Sequence, residues 1–96
     1  MTPVILKLAR DDLREIQKNL SDFGESPTGT LRKSFEKFIR QVSDMPYMFS
    51  QYEYNPIYRR AVIAFGYLVF YRVDEKNDKV KIYRVLYGKR NIEPLL

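Results

Sequence analysis

Six positive side chains in the second half of this chain, Arg59, Arg60, Arg72, Arg84, Lys89 and Arg90, are the groups best suited to grip another molecule. Guanidinium and ammonium groups clamp phosphates and carboxylates, so the set could serve a nucleic acid, an acidic protein or a nucleoprotein complex. The sequence holds no histidine and no cysteine. The usual general base near neutral pH, the commonest metal ligand, disulfides and thiolate sites are thereby removed. Catalysis would have to rest on carboxylates, Tyr, Lys, Arg or backbone groups. There is no Walker loop, no dinucleotide fingerprint, no HExxH and no RNP-like aromatic signature. The acidic groups lack metal-ligand spacing: Asp11–Asp12 open a helix, and Asp74, Glu75 and Asp78 share a turn with Lys76 and Lys79. No metal or cofactor is expected.

The charge is unevenly placed. Residues 1–56 hold eight basic and eight acidic side chains, whereas residues 57–96 hold nine basic against four acidic, so the whole net charge of +5 lies in the second part. Such an excess steers acidic partners electrostatically and also keeps a small protein soluble. Ninety-six residues fit one domain spanning 1–96, large enough for one modest core. The opening MTPVILKLARDDLREI turns charged too early for a secretory leader, and no apolar run approaches a membrane span. A soluble cytoplasmic protein is expected.

The elements that must position the cations are legible in the periodicity. Val4, Ile5, Leu6 and Leu8 form an apolar run of strand length. Ala9, Leu13, Ile16, Leu20 and Phe23 recur at spacings of four and three, one stripe of an amphipathic helix, with Asp11 and Asp12 expected in its first turn and Gly24 as its stop. Ser26–Pro27 reads as an N-cap followed by proline at the first helical position. Leu31, Phe35, Phe38 and Val42 mark the second helix, completing an antiparallel hairpin whose stripes are core. The segment PYMFSQYEYNPIY, residues 46–58, resists regular structure yet is dense in aromatics, so it either covers the core or lines a groove for another chain. Arg59–Phe65, Tyr67–Val73 and Val80–Tyr87 then read as three strands of an antiparallel meander. Tyr67, Val69, Tyr71 and Val73 share one face of their strand, and Leu68, Phe70 and Arg72 the other. Both faces therefore need covering. The expected fold is α+β, in the order β-α-α-β-β-β, with the first strand at a sheet edge.

In that meander Arg59, Arg60 and Arg72 fall at one end of the sheet, while Lys89 and Arg90 leave from the other. One pocket using all five is geometrically unfavourable unless the tail folds back.

GYLVFYRVDEKNDKVKIYRVLYGKRNIEPLL, Gly66 to Leu96, resembles the C-terminal half of the RelE/ParE superfamily of type II toxins, and ARDDLREI, Ala9 to Ile16, resembles its first helix. The resemblance implies a RelE/ParE-like fold with an N-terminal strand and a helical hairpin packed on an antiparallel sheet. It also implies a cognate antitoxin as partner, in a toxin–antitoxin hetero-oligomer. RelE-like members are ribosome-dependent messenger RNA endonucleases; ParE-like members lack that active site and poison DNA gyrase. Aligned on Gly66 and on Gly88–Lys89–Arg90, the first ribonuclease lysine falls on Arg59 and an arginine after the last strand on Arg90. The second lysine position holds Ala61, the arginine after Gly-Tyr holds Leu68, and the terminal tyrosine falls near Leu96. Two basic positions of five remain, so the resemblance implies the ParE branch, a gyrase poison acting by binding. The alternative is an endonuclease acting on ribosome-bound messenger RNA through Arg59 and Arg90. Arg59, Arg60, Arg72, Lys89 and Arg90 are the expected target or antitoxin contacts. Tyr47, Phe49, Tyr52, Tyr54 and Tyr58 are the expected antitoxin groove.

Overall fold

The structure, a computed structural model describing residues 1–96, contains strand β1 (Thr2–Ile5), helix α1 (Lys7–Ser21), helix α2 (Glu25–Asp44) and strands β2 (Arg59–Val62), β3 (Tyr67–Asp74) and β4 (Lys79–Tyr87). Short 3₁₀ turns follow β2 at Ala64–Gly66 and β4 at Glu93–Leu95. The sheet order is β1-β4-β3-β2. The three later strands form the antiparallel meander, with Arg59 opposite Tyr71 and Tyr67 opposite Tyr87. β1 takes an edge, as a lone strand must, but it runs parallel to β4, with Thr2 opposite Lys79 and Ile5 opposite Ile82. The sheet is therefore mixed. Parallel pairing follows from the helical hairpin, which returns the chain to the starting end before the meander begins.

Each sheet face is apolar because each is covered. On one side the stripes of α1 (Ala9, Ile16) and α2 (Leu31, Phe35, Phe38, Val42) meet Ala61, Val69, Tyr71, Val80, Ile82 and Val85. On the other, Tyr52, Tyr58 and Ile92 cover Leu68, Phe70 and Leu86, with Tyr83, Leu95 and Leu96 packed at the margin. The alternation expected along β3 thus holds on both faces. A bulge in the β3–β4 pairing places Phe70 opposite Arg84 but Tyr71 opposite Ile82, leaving Tyr83 as the extra residue. Ile82 and Val85 consequently both face the helices, although three positions apart.

Several local expectations are corrected. α1 begins at Lys7, so Leu8 belongs to the helix instead of the strand and Asp11 and Asp12 lie beyond the first turn, which holds no acid. Phe23 falls past the helix end and is 78% exposed, outside the core stripe. Gly24, at φ 100°, occupies the N-cap position of α2, where Ser26 had been the expected cap. Only glycine adopts that angle cheaply, which lets two helices join across so short a turn. Ser26 and Pro27 sit inside the first turn of α2, where a missing N–H costs nothing. The strand expected over Arg59–Phe65 stops at Val62, and Ser34 of α2 accepts the Ala64 N–H at 2.9 Å to fix the turn that follows. No helix is long and apolar enough to cross a membrane.

Candidate functional site

The five cations expected at a binding surface are dispersed by the strand geometry. Arg59 and Arg60 are neighbours on β2 and so point to opposite faces. Arg59 turns to the helix side, where its guanidinium donates to the Phe49 carbonyl at 2.8 Å and lies 4.9 Å from the Tyr47 ring centroid. Arg60 opens on the other side, in a shallow polar cleft with Gln51, Tyr52 and Glu53. Arg72, exposed near the same end, stacks 5.7 Å from the Tyr83 ring centroid. Lys89 and Arg90 are exposed beyond β4, and neither makes an ion pair. Arg90 lines a cleft of about 230 Å³ between α1 and the β3–β4 end, with Glu15, Ile16, Asn19, Tyr67 and Tyr87. Arg59 pairs across to Tyr71, whereas Gly88 pairs with Gly66 five residues further along β3. At ~3.3 Å per residue that offsets the Arg59 and Gly88 levels by about 16 Å. The two ends foreseen from the sequence are found; the division of the first cluster between two faces is added by the structure.

The remaining cation of the set, Arg84, is structural. Its Nε and Nη2 donate to the two carboxylate oxygens of Asp12 at 2.7 and 2.9 Å, and its Nη1 donates to the Leu95 carbonyl at 2.9 Å. Asp12 Oδ2 also accepts the Val85 N–H at 3.0 Å. β1 covers β4 only from Lys79 to Ile82, so the outward N–H of Val85 has no strand partner. The Asp12 carboxylate takes that vacant place. This hydrogen bonding holds the Arg84 guanidinium above its ordinary pKa. No local pattern marks this role, because the pair spans 72 positions.

The aromatic segment divides. Tyr52 and Tyr58 are buried in the second core, and Tyr52 meets the Phe70 ring at a centroid distance of 5.0 Å. Burial, with Glu93 beside it, pushes the Tyr52 phenol up from its usual value. Phe49 packs against Phe38 and Tyr71 on the helix side. These three side chains take part in the packing. Tyr47 and Tyr54 remain exposed, near in sequence to the exposed Met45, Met48 and Ile57. Tyr47 donates its hydroxyl to Glu75, which holds the phenol above its usual range.

At the two further ribonuclease positions, Ala61 and Leu68 are buried on opposite faces of the sheet. The fold is thus α+β with covered sheet faces, dispersed surface cations and exposed apolar side chains at both sheet ends. The family described as the ParE toxin of type II toxin–antitoxin systems, parDE, matches residues 4–92, and the chain belongs to that family. A solved structure titled "Chromosomal ParDE TA system from P. aeruginosa" superposes with a TM-score of 0.76 at 13% identity, covering 93% of this chain and 97% of that one. At that identity the likeness speaks for the fold. No curated protein matches the chain in sequence.

Proposed function

We propose that the protein is the toxin of a toxin–antitoxin pair, that it acts by binding DNA gyrase and blocking replication, and that a cognate antitoxin neutralises it. The observation that carries this reading is the separation of Arg59 from Arg90. Arg59 is held by the Phe49 carbonyl and the Tyr47 ring on one level of the sheet, and Arg90 leaves beyond the other end. Cleavage of RNA through its 2′-hydroxyl needs a base, an acid and cations converging on one phosphate. Ala61 and Leu68, both buried, supply none of these. A toxin without that convergence has its surface to work with. Antitoxin binding is assigned to the exposed aromatics Tyr47 and Tyr54, with Arg59, Arg60 and Arg72 at the same end to meet acidic residues.

The test is induction of the protein, with messenger cleavage mapped by primer extension and gyrase followed in a supercoiling assay. Accumulating cleaved DNA with intact messenger is expected. Codon-positioned RNA cuts with normal gyrase activity would overturn the reading in favour of the endonuclease. Amide exchange with and without antitoxin should show protection near Tyr47 and Tyr54, and unchanged exchange there would refute that assignment.

A further inference from the structure

Phe65 stands in a conformation that an aromatic residue rarely adopts, with φ 62° and ψ 18°. Gly66 follows at φ 78°, so two consecutive residues are left-handed and only the second is glycine. The strain is not repaid by burial, since Phe65 is 49% exposed. Strained, exposed side chains of this kind gather at binding sites. One more apolar side chain is exposed beside this turn, Tyr87 at the end of β4, 37% exposed, whereas Val62 at the end of β2, 61% exposed, opens on the opposite sheet face. The Gly88 N–H donates to the Gly66 carbonyl at 3.0 Å, which fixes Tyr87, Lys89 and Arg90 next to the Phe65 turn.

The charge around this end is mostly positive, because Asp12 in its cleft is paired to Arg84. Residues 54–73 and 85–92, the two segments that build it, contain no carboxylate. Glu15 of α1 lies across the cleft from Arg90 without pairing to it. The turn is also held rigidly, between the Ser34 hydroxyl at Ala64 and the Gly66–Gly88 hydrogen bond. A rigid knob loses little freedom on docking and matches a preformed socket better than a tail that folds as it binds.

We propose that Phe65, with Tyr87 beside it and Lys89 and Arg90 at its rim, is the surface by which the toxin docks its target. The complementary site is an apolar socket rimmed by carboxylates on the protein the toxin acts on. This rests on the toxin reading above. It separates target docking from antitoxin capture, which that reading places at the Tyr47 and Tyr54 end.

The test compares wild type with Phe65→Asn, Phe65→Tyr and the pair Lys89→Glu/Arg90→Glu. Asn tolerates the left-handed turn, so F65N should fold with an unchanged or raised urea midpoint. On induction, wild type and F65Y should arrest growth, whereas F65N and the charge-reversed pair should need at least about tenfold more protein for the same arrest, the scale of one truncated hot spot. All four should co-purify with the cognate antitoxin, and purified DNA gyrase should show the same tenfold loss of inhibition. If wild type arrests growth but leaves gyrase untouched, the gyrase reading fails, and the growth comparison still decides the role of Phe65. Undiminished toxicity of folded F65N, equal loss of antitoxin binding in F65N, or a wild type that arrests nothing would each overturn the proposal.

Discussion

Removing the Asp12 carboxylate should be the most damaging single change outside the apolar core. Asp12 and Arg84 side chains are only 14% and 16% exposed, so an Asp12→Ala variant leaves a guanidinium largely out of water with no counter-charge. Breaking a buried pair by removing one partner costs ~3–5 kcal/mol, and this pair belongs at the lower end because some exposure remains. The Val85 N–H loses its acceptor in the same step, adding about 1 kcal/mol. The expected loss is ~3–4 kcal/mol, a large fraction of the roughly 5–14 kcal/mol available to a chain of this length. Urea unfolding followed by far-UV circular dichroism measures it as a fall in midpoint at constant slope. The double variant Asp12→Leu/Arg84→Met removes both charges and should be more stable than Asp12→Ala alone, although the Val85 N–H and the Leu95 carbonyl both lose their partners. A loss below ~1 kcal/mol in Asp12→Ala, or strictly additive single and double changes, would refute the reasoning.

Gly88→Ala would place a methyl carbon 2.9 Å from the Gly66 carbonyl oxygen, a backbone atom that cannot yield freely, with Leu68 in ordinary contact at 3.5 Å. A loss of about 1–3 kcal/mol is expected from such overpacking, with weakened protection of the Gly88 amide in hydrogen exchange. Tyr71→Phe removes the 2.9 Å hydrogen bond to the Pro46 carbonyl from a side chain with no exposure, and should cost ~1 kcal/mol in denaturant unfolding while leaving the sheet intact. The Asp74 carboxyl is held down to about 2, first by hydrogen bonds from Asn77 and then by Lys81 at 3.0 Å. Because the folded value lies below the unfolded value of about 3.9, its stabilising contribution is complete above that value and is lost as pH falls toward 2. Carbon-detected titration should place its midpoint well below the usual carboxylate range, and Asp74→Asn should remove this part of the acid sensitivity.

The helices, the meander and the two faces of β3 were legible because each repeats a period: four-and-three spacing in α1 and α2, and alternation from Tyr67 to Val73. What escaped depends on contacts between remote positions or on irregular backbone. Nothing in Val4–Leu8 says that β1 pairs in parallel, since direction is decided by where the hairpin returns the chain. Phe23 fits the stripe by spacing alone, but α1 ends two residues earlier. Asp12 is an ordinary helical acid in sequence and becomes the edge partner of β4 only in three dimensions. Between Pro46 and Pro56 no period exists to sort buried Tyr52 from exposed Tyr54, although both carry the same side chain. The strained angle of Phe65 is equally silent, because its neighbour Gly66 already explains a turn.

The same packing limits where a site can form on this chain. One sheet face is filled by the helices and the other largely by residues 52, 58 and 92, so few side chains on the strand middles reach solvent. Polar side chains reach solvent mainly at the two ends and along the edges. A cation there is either tied down, as Arg59 is by the Phe49 carbonyl, or left open, as Lys89 and Arg90 are. In this chain Arg59 and Arg90 stand at opposite ends of the sheet, so the two retained cations do not converge on one phosphate. Restoring catalysis by substituting Ala61→Lys and Leu68→Arg should therefore fail. Each change would bury a charge in a filled core and unfold the sheet before it assembled a site. Messenger cleavage by a folded Ala61→Lys/Leu68→Arg variant would show that the two faces are far less tightly closed than their packing implies.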